Sequence, residues 1–431
     1  MDSIWMDTAL PAFPPLEWDR RTDVLIIGGG MAGVLCAYFL TQAGVDCLLI
    51  ESDRVGQGVT GRTTAKITAQ HGLFAQDLLR RFGKEKARLY LEANLTAVEQ
   101  YRRLAERIPC GFEDKDSFVY SLDHPEKLEK ELRALAALGH PGEPVRHLPL
   151  PFSTAGAVKM AGQAQFHPLK FLAGLLPGLP IYEHTAARAF HKNTVLTGRG
   201  SIRAKAIIVA THFPILNKHG AYFLKLYQHR SYVLALEGAQ SVGGMYVDEA
   251  EKGLSFRDYG EELLLGGGDH RTGKEGGGWA ELKAFARVHY PDAEVRRQWA
   301  TQDCMSLDAV PYIGPYSKNT PGLYVAAGFN KWGMTGAMVS AMVLTDLVQG
   351  KQSPYGAVFD PGRSMLHLQL AVNGFESAMN LLRPTTPRCP HMGCALRWNP
   401  REHTWDCPCH GSRFTEDGKL LENPAAGDLK N

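Results

Sequence analysis

The chain has 431 residues, of which 44% are apolar and 21% charged, the balance of a globular protein with a sizeable core. That excludes wholesale disorder, collagen-like repeats and a disulfide-stapled miniprotein, and roughly 150 residues per domain suggests about three units. Forty-seven Lys and Arg against 45 Asp and Glu leave +2, so the charge calls for neither nucleic acid nor an anionic membrane as partner.

In chain order, residues 1–20 lack a basic n-region and a long apolar h-region, so no signal peptide is expected. Asp23–Gly28 reads as a buried strand, Met31–Ala43 as a helix and Val45–Glu51 as a second strand. Gly28-Gly29-Gly30-Met31-Ala32-Gly33 joins the first strand to the helix. Such glycines permit a tight turn and close approach to a pyrophosphate on the helix N-terminus, while the acid ending the second strand, Glu51, binds ribose hydroxyls. The bland alternative is a glycine-rich turn in another kind of α/β protein.

A polar loop follows, Gly58 to Lys66, with Thr60, Thr63 and Thr64. Leu73–Ile108 reads as helical with a break near Gly83, and Lys205–Thr211 as another buried strand. From Ser231 to Gly268, β-rich segments alternate with turn residues, which predicts an antiparallel sheet. Gly266-Gly267-Gly268-Asp269-His270-Arg271 has Arg where a third glycine belongs, so a second dinucleotide site for NAD(P)H is not expected and electrons enter from an organic substrate. Leu323–Ala327 is a strand, Gly328 opens a glycine-bearing turn, and a helix runs over Met334–Val348. No stretch approaches the ~20 apolar residues of a membrane span.

Gly322–Phe329 followed by Gly333-Met334-Thr335-Gly336, with the lead-in Trp299…Asp308–Gly314, resembles the closing strand, turn and helix of FAD-dependent oxidoreductases of the D-amino-acid oxidase/glycine oxidase type. The resemblance covers about residues 20–350. It implies FAD held by Gly28, Gly30, Met31, Ala32, Gly33, Glu51, Thr60, Thr63, Thr64, Thr211, Gly328, Gly333, Met334 and Thr335. It also places the late helix N-terminus at the flavin pyrimidine edge, where its partial positive charge stabilises the reduced anion. In such enzymes the antiparallel sheet holds substrate over the flavin. Candidates are Arg257, Tyr259 and His270, with Lys331 and His71 nearby; Arg257 and Lys331 are taken as substrate anchors, an arginine gripping a carboxylate with two prongs. For each, the alternative is a solvated or structural polar residue.

Leu366–Leu382 reads as a linking helix ended by Pro384. Beyond it stand Cys389-Pro390-His391-Met392-Gly393-Cys394 and Cys407-Pro408-Cys409-His410-Gly411-Ser412, in ligand form C-x-H, fifteen residues, C-x2-H. This resembles the Rieske [2Fe–2S] signature. The resemblance implies Cys389 and Cys407 as thiolate ligands, His391 and His410 as imidazole ligands, and Cys394 with Cys409 as a loop-pinning disulfide. Ser412 matches a serine that bonds to the cluster, and Phe414 replaces a tyrosine that often follows. The alternative is a zinc knuckle. Trp398, Asn399, Trp405 and Asp406 read as packing between the boxes. Strands that precede the first box in a full Rieske domain have no room here, so the fragment depends on its metal and on docking. Cys36, Cys47, Cys110 and Cys304 read as unremarkable thiols.

Gly58–His71, Ala210–Ile215 and Gly328–Thr335 resemble throughout a family of bacterial FAD-dependent oxidoreductases with a C-terminal Rieske segment. The fold expected is mixed α/β: a Rossmann-like FAD-binding domain (about 20–75, 150–215 and 300–350) interleaved with an antiparallel-sheet substrate domain (about 76–149 and 216–299) within 1–360. A linking helix at 361–387 and a truncated Rieske segment at 388–431 complete it. The function expected is a cytoplasmic FAD-dependent dehydrogenase that takes electrons from a small amine or amino acid. They pass through the cluster to an external acceptor. The alternative is an electron carrier or redox sensor without an organic substrate. A Rieske oxygenase is set aside, since no D-x2-H-x4-H spacing occurs.

Overall fold

A computed structural model describes residues 2–216, 219–384 and 387–429. The first sheet is built from strand β1 (Arg20–Ile27), which helix α1 (Met31–Gln42) connects to strand β2 (Cys47–Ile50). Its order is Tyr312–Pro315, Leu323–Ala327, Ser201–Val209, β1, β2, Ile181–Tyr182. Every neighbouring pair on that path is parallel except the first. Apolar runs such as DVLII and AIIV form these strands because both faces are covered. On one face α1 packs against helix Gly333–Val348, both buried along most of their length.

Register then places the site. Ile27 lies level with Ile50 on one side and Val209 on the other, so the carboxyl ends of three strands arrive together at Gly28, Glu51 and Ala210. That edge is where open α/β sheets bind ligands.

The second sheet has nine strands; its main path runs Glu294–Ser306, Leu226–Glu237, Glu262–Arg271, Ser255–Tyr259, Met245–Asp248, Glu113–Ser121, Gly156–Gln165, Lys66–Ile67. It is antiparallel as expected, except that Met245–Asp248 runs parallel to Glu113–Ser121. Three boundaries change. Gly156–Gln165, Lys66–Ile67 and the end of Glu294–Ser306, assigned by sequence to the dinucleotide half, hydrogen-bond within this sheet. The chain crosses between sheets more often than composition reveals, because GAVKMAGQAQ would suit either. The helix Ala75–Ala105 is interrupted where expected, at Gly83 with φ of 76°.

Helix Leu368–Leu382 links to the tail in an unusual orientation: its buried residues are Asn373 and Asn380, while Leu368, Phe375 and Leu382 are exposed. Polar ties hold it, Arg271 donating to Asn373 Oδ1 at 3.0 Å and Lys274 pairing with Glu376 at 2.7 Å. The tail is a four-stranded antiparallel sheet, Arg397–Asn399, Thr404–Asp406, Arg413–Thr415, Leu420–Glu422. Its buried core is four cysteines with Leu396, Phe414 and Ala425. So small a core relies on cross-links and docking. No helix among the described residues is long and apolar enough to cross a membrane.

Candidate functional site

A cavity of about 1350 Å³ opens at the carboxyl ends of the first sheet and extends along the second. Gly28 has φ of +114°, and a Cβ there would lie 2.5 Å from the Ala210 carbonyl oxygen. At Gly33 a Cβ would come within 1.9 Å of the Gly28 carbonyl, so glycine lets α1 pack directly on the turn. At Gly30 a Cβ would meet only Thr60 Oγ1, at 3.4 Å, and would otherwise take up cavity space. Glu51 ties the rim together: one oxygen accepts from the Gly29 amide at 2.6 Å, the other from the Asp53 amide at 2.9 Å.

Among the residues expected to hold the cofactor, Gly28, Gly30, Met31, Ala32, Glu51, Thr60, Thr63, Thr64, Thr211, Gly333 and Met334 line this cavity. Gly33, Gly328 and Thr335 do not. Gly33 is the close-packing position, Gly328 packs against Leu226 and Ser306, and Thr335 Oγ1 donates to the Thr68 carbonyl at 3.2 Å. A glycine-rich turn without side chains, a ribose-level acid and room for a large ligand fit a dinucleotide.

The substrate candidates divide. Arg257 is fully buried off the cavity wall, donating to the carbonyls of Thr64 at 2.7 Å, Ala65 at 2.9 Å and Asp258 at 3.2 Å. The expected carboxylate anchor is therefore corrected: this guanidinium holds the cofactor loop in shape. Tyr259 packs on Trp5, and His270 stands behind cavity-lining Tyr232, bonding its hydroxyl at 2.9 Å; neither lines the cavity. His71 stacks on Trp332 and bonds Tyr90 at 2.7 Å; burial pushes its imidazole down to about 3, so it stays neutral.

Lys331 does line the cavity. It pairs with Asp269, and although burial lowers its pKa, Asp269 and Asp303 more than reverse this and keep it charged. Asp269 Oδ1 is buried with no hydrogen-bond partner, and burial raises the Asp303 carboxyl to about 6. Lys66 also faces the cavity, bonding Ser255 Oγ at 3.3 Å and Thr64 Oγ1 at 3.4 Å; burial, then Arg257, lowers its ammonium to about 7. Sequence reading missed Asp269 and Asp303 beside Lys331, and Lys66 beside Ser255, because only the tertiary fold brings these distant residues together.

In the tail, Cys389 and Cys407 are buried and hydrogen-bonded to each other, which lowers the first thiol to about 7 and raises the second. The His391 and His410 rings stand 4.9 Å apart, centre to centre. His410 Nε2 donates to the Phe223 carbonyl at 2.9 Å, which leaves Nδ1 buried and without a partner. An outer hydrogen bond of this kind fixes the tautomer of a ligating imidazole. Burial pushes His391 to about 4 and His410 to about 3, neutral as ligation requires. Cys394 and Cys409 are disulfide-bonded across the two boxes. Ser412 hydrogen-bonds Cys389. Three sulfurs, of Cys394, Cys407 and Cys409, lie within 4.8 Å of one another, but two of them are spent on the disulfide and cannot also hold zinc. Two buried thiols, a bare imidazole nitrogen on buried His410 and the half-buried His391 imidazole fit a two-iron cluster with mixed ligands.

The tail is locked to the second sheet. Gln228 donates to the His410 carbonyl at 2.7 Å and Gln302 to the Gly411 carbonyl at 2.8 Å. Buried Arg230 pairs with Glu402 and, at 3.3 Å, with Glu422, while Arg413 pairs with Glu402 at 2.8 Å and Asp406 at 2.9 Å. Phe213, two residues beyond cavity-lining Thr211, stands 6.2 Å from the His391 ring and 6.1 Å from the His410 ring.

Comparison with known proteins agrees with both halves of this geometry. The FAD dependent oxidoreductase family model matches residues 23–347, and the Rieske [2Fe-2S] domain model matches residues 372–431. The chain is 35% identical to a Bacillus subtilis (strain 168) protein named as a Rieske 2Fe-2S iron-sulfur protein, YhfW, over 98% of this chain and 96% of that one. It is 25% identical to the gamma-glutamylputrescine oxidoreductase of Escherichia coli (strain K12), over 46% of this chain and 50% of that protein. Glycine oxidase from Geobacillus kaustophilus shares the fold with a TM-score of 0.67 at 21% identity, covering 80% of this chain and 100% of its own. L-proline dehydrogenase from P. horikoshii does so with a TM-score of 0.67 at 17% identity, covering 80% and 97%.

Proposed function

We propose, from the premise that this chain belongs to the FAD dependent oxidoreductase family and ends in a Rieske [2Fe-2S] domain, that it is a dehydrogenase of a small amine or amino acid. Its cofactors are FAD and a [2Fe–2S] cluster. When bound, the flavin takes an electron pair from substrate and the cluster relays electrons singly to an external acceptor.

One observation carries the reading: Thr211 lines the flavin cavity, and Phe213, two residues on, touches both histidines of the cluster site. A flavin site that hands electrons straight to oxygen has no need of that neighbour. The names of the relatives support the substrate class, since glycine, proline and a putrescine derivative are all amines. On the cavity wall, Lys331 is the remaining anchor for a carboxylate. Asp269 and Asp303, which line the cavity beside it, give that wall the negative charge that suits an ammonium group. Residues 1–360 act as the flavin unit, 388–431 as the relay, with 361–387 between them. The cytoplasm suits four buried thiols, and burial shields the Cys394–Cys409 bridge from reductants there.

The test is anaerobic mixing of the loaded protein with a panel of amines and amino acids. Bleaching of the flavin absorbance should be followed by the electron resonance signal of a reduced cluster. Bleaching without that signal would sink the relay. Reduction by no amine, but readily by a flavin reductase, would favour an electron carrier.

A further inference from the structure

The crevice at the carboxyl ends of an open α/β sheet ordinarily faces solvent. Here the last turn of the tail covers it. Asn423, Ala425, Ala426 and Asp428 line the same cavity as Thr211 and Arg188. The contact is bonded on both sides. Asn423 Nδ2 donates to the carbonyl of Thr211 and, at 3.2 Å, to that of Phe213; Arg188 donates to the Ala426 carbonyl at 3.1 Å. Behind this wall the same residues reach the cluster loop. The Asn423 carbonyl accepts from Gln228 at 3.1 Å, the residue that also holds the His410 carbonyl. The Ala425 amide donates to Ser412 Oγ at 3.0 Å, and Ser412 in turn bonds Cys389.

We propose that residues 423–428, the end of the cluster-binding segment, form one wall of the FAD site, with Asn423 as its pin, so that FAD and the cluster hold each other in place. This rests on the reading of the cavity as the FAD site, but not on any substrate. These six residues separate two chemical environments: Thr211 and Arg188 on the flavin side, Ser412 and Cys389 on the cluster side. A cluster that fixes Ser412 fixes Ala425, and Ala425 sets where Asn423 meets Thr211. Coupling of this kind is reciprocal for binding: whatever factor the cluster adds to FAD affinity, FAD adds to cluster retention.

The experiment titrates FAD into FAD-free, cluster-loaded full-length protein, following the quenching of flavin fluorescence, and assays iron in parallel. Asn423→Ala should raise the FAD Kd roughly tenfold, the factor for losing the two hydrogen bonds it donates. Arg188→Ala lies on the flavin side of the wall and cannot disturb cluster assembly directly; it should raise the Kd about threefold with iron unchanged. Wild-type protein with its cluster chelated away should bind FAD more weakly by about the factor seen for Asn423→Ala. If Asn423→Ala loses iron as well as FAD, Arg188→Ala decides. A Kd within twofold of wild type for both Arg188→Ala and the chelated protein would overturn the proposal. Because no step needs an amine, a failure of the dehydrogenase reading would leave these results interpretable.

Discussion

Arg230→Met is the sharpest perturbation the structure offers. Arg230 is 2% exposed, with Nε donating to Glu402 Oε1 at 3.0 Å and a second nitrogen bonded to the other oxygen, while Nη1 reaches Glu422 at 3.3 Å. Burial alone would raise the Glu402 carboxyl, yet Arg230 and then Arg413 bring it from 4.5 down to about 2. At about 1.4 kcal/mol per pH unit, that depression is worth roughly 3 kcal/mol to the docked tail at neutral pH. The sign follows: this stability is complete above pH 4.5 and is lost as pH falls towards 2. Removing Arg230 leaves Glu402 and Glu422 to share Arg413, which already pairs with Asp406, and breaking one side of a buried pair costs about 3–5 kcal/mol. Amide hydrogen exchange of Thr404–Asp406 and Arg413–Thr415 should accelerate by roughly two orders of magnitude at pH 7, and the acid-labile step should flatten. Arg230→Met with Glu402→Leu should recover much of the protection, since an apolar pair can replace a buried ionic one. Exchange within threefold of wild type for the single variant, or no recovery in the double, would refute the claim that this ion pair holds the tail in place.

Other outcomes follow from the same geometry. Cys389→Ser should remove a cluster ligand, so that iron and sulfide fall together and FAD binds roughly tenfold more weakly, as in the chelated protein; stoichiometric iron in that variant would exclude the ligand set. Gly33→Ala puts a Cβ 1.9 Å from the Gly28 carbonyl oxygen and 3.4 Å from Ile26 Cγ2, and the carbonyl is backbone that cannot yield. We expect FAD content to fall below a tenth and Tm to drop, overpacking costing about 1–3 kcal/mol or more; full FAD at the wild-type Tm would contradict the packing argument. Lys66, held near 7 by burial and Arg257, sheds a proton in the folded state that the unfolded chain keeps up to 10.5. Lys66 therefore adds an upward slope to the stability of the FAD-free protein between pH 7 and 10, against the downward slope of the buried thiols, and Lys66→Met should remove that upward part in thermal melts. An unchanged slope would show that Lys66 is solvated.

Both redox sites were legible in the sequence because their chemistry is local. A pyrophosphate needs one turn of bare backbone, so Gly28 to Gly33 carry the signal within a few positions. An iron site needs ligands on two short loops, so Cys389-Pro390-His391 and Cys407-Pro408-Cys409-His410 announce it without any knowledge of the fold. The strand–helix–strand core was equally plain, since β1, α1 and β2 are continuous apolar runs with punctuation between them.

Tertiary structure alone decided what each site is built against. Arg257 looked like a substrate anchor because a lone arginine on a substrate sheet has no other visible purpose, and only the fold turns it onto the Thr64 and Ala65 carbonyls. Gly156–Gln165 joins the second sheet because Glu113–Ser121 offers its edge there. The sequence by itself determined which cofactors the chain can hold. That the cluster-binding tail closes the flavin cavity depends on Asn423 meeting Thr211, residues 212 positions apart, and such a contact is set by packing of whole sheets rather than by any local preference.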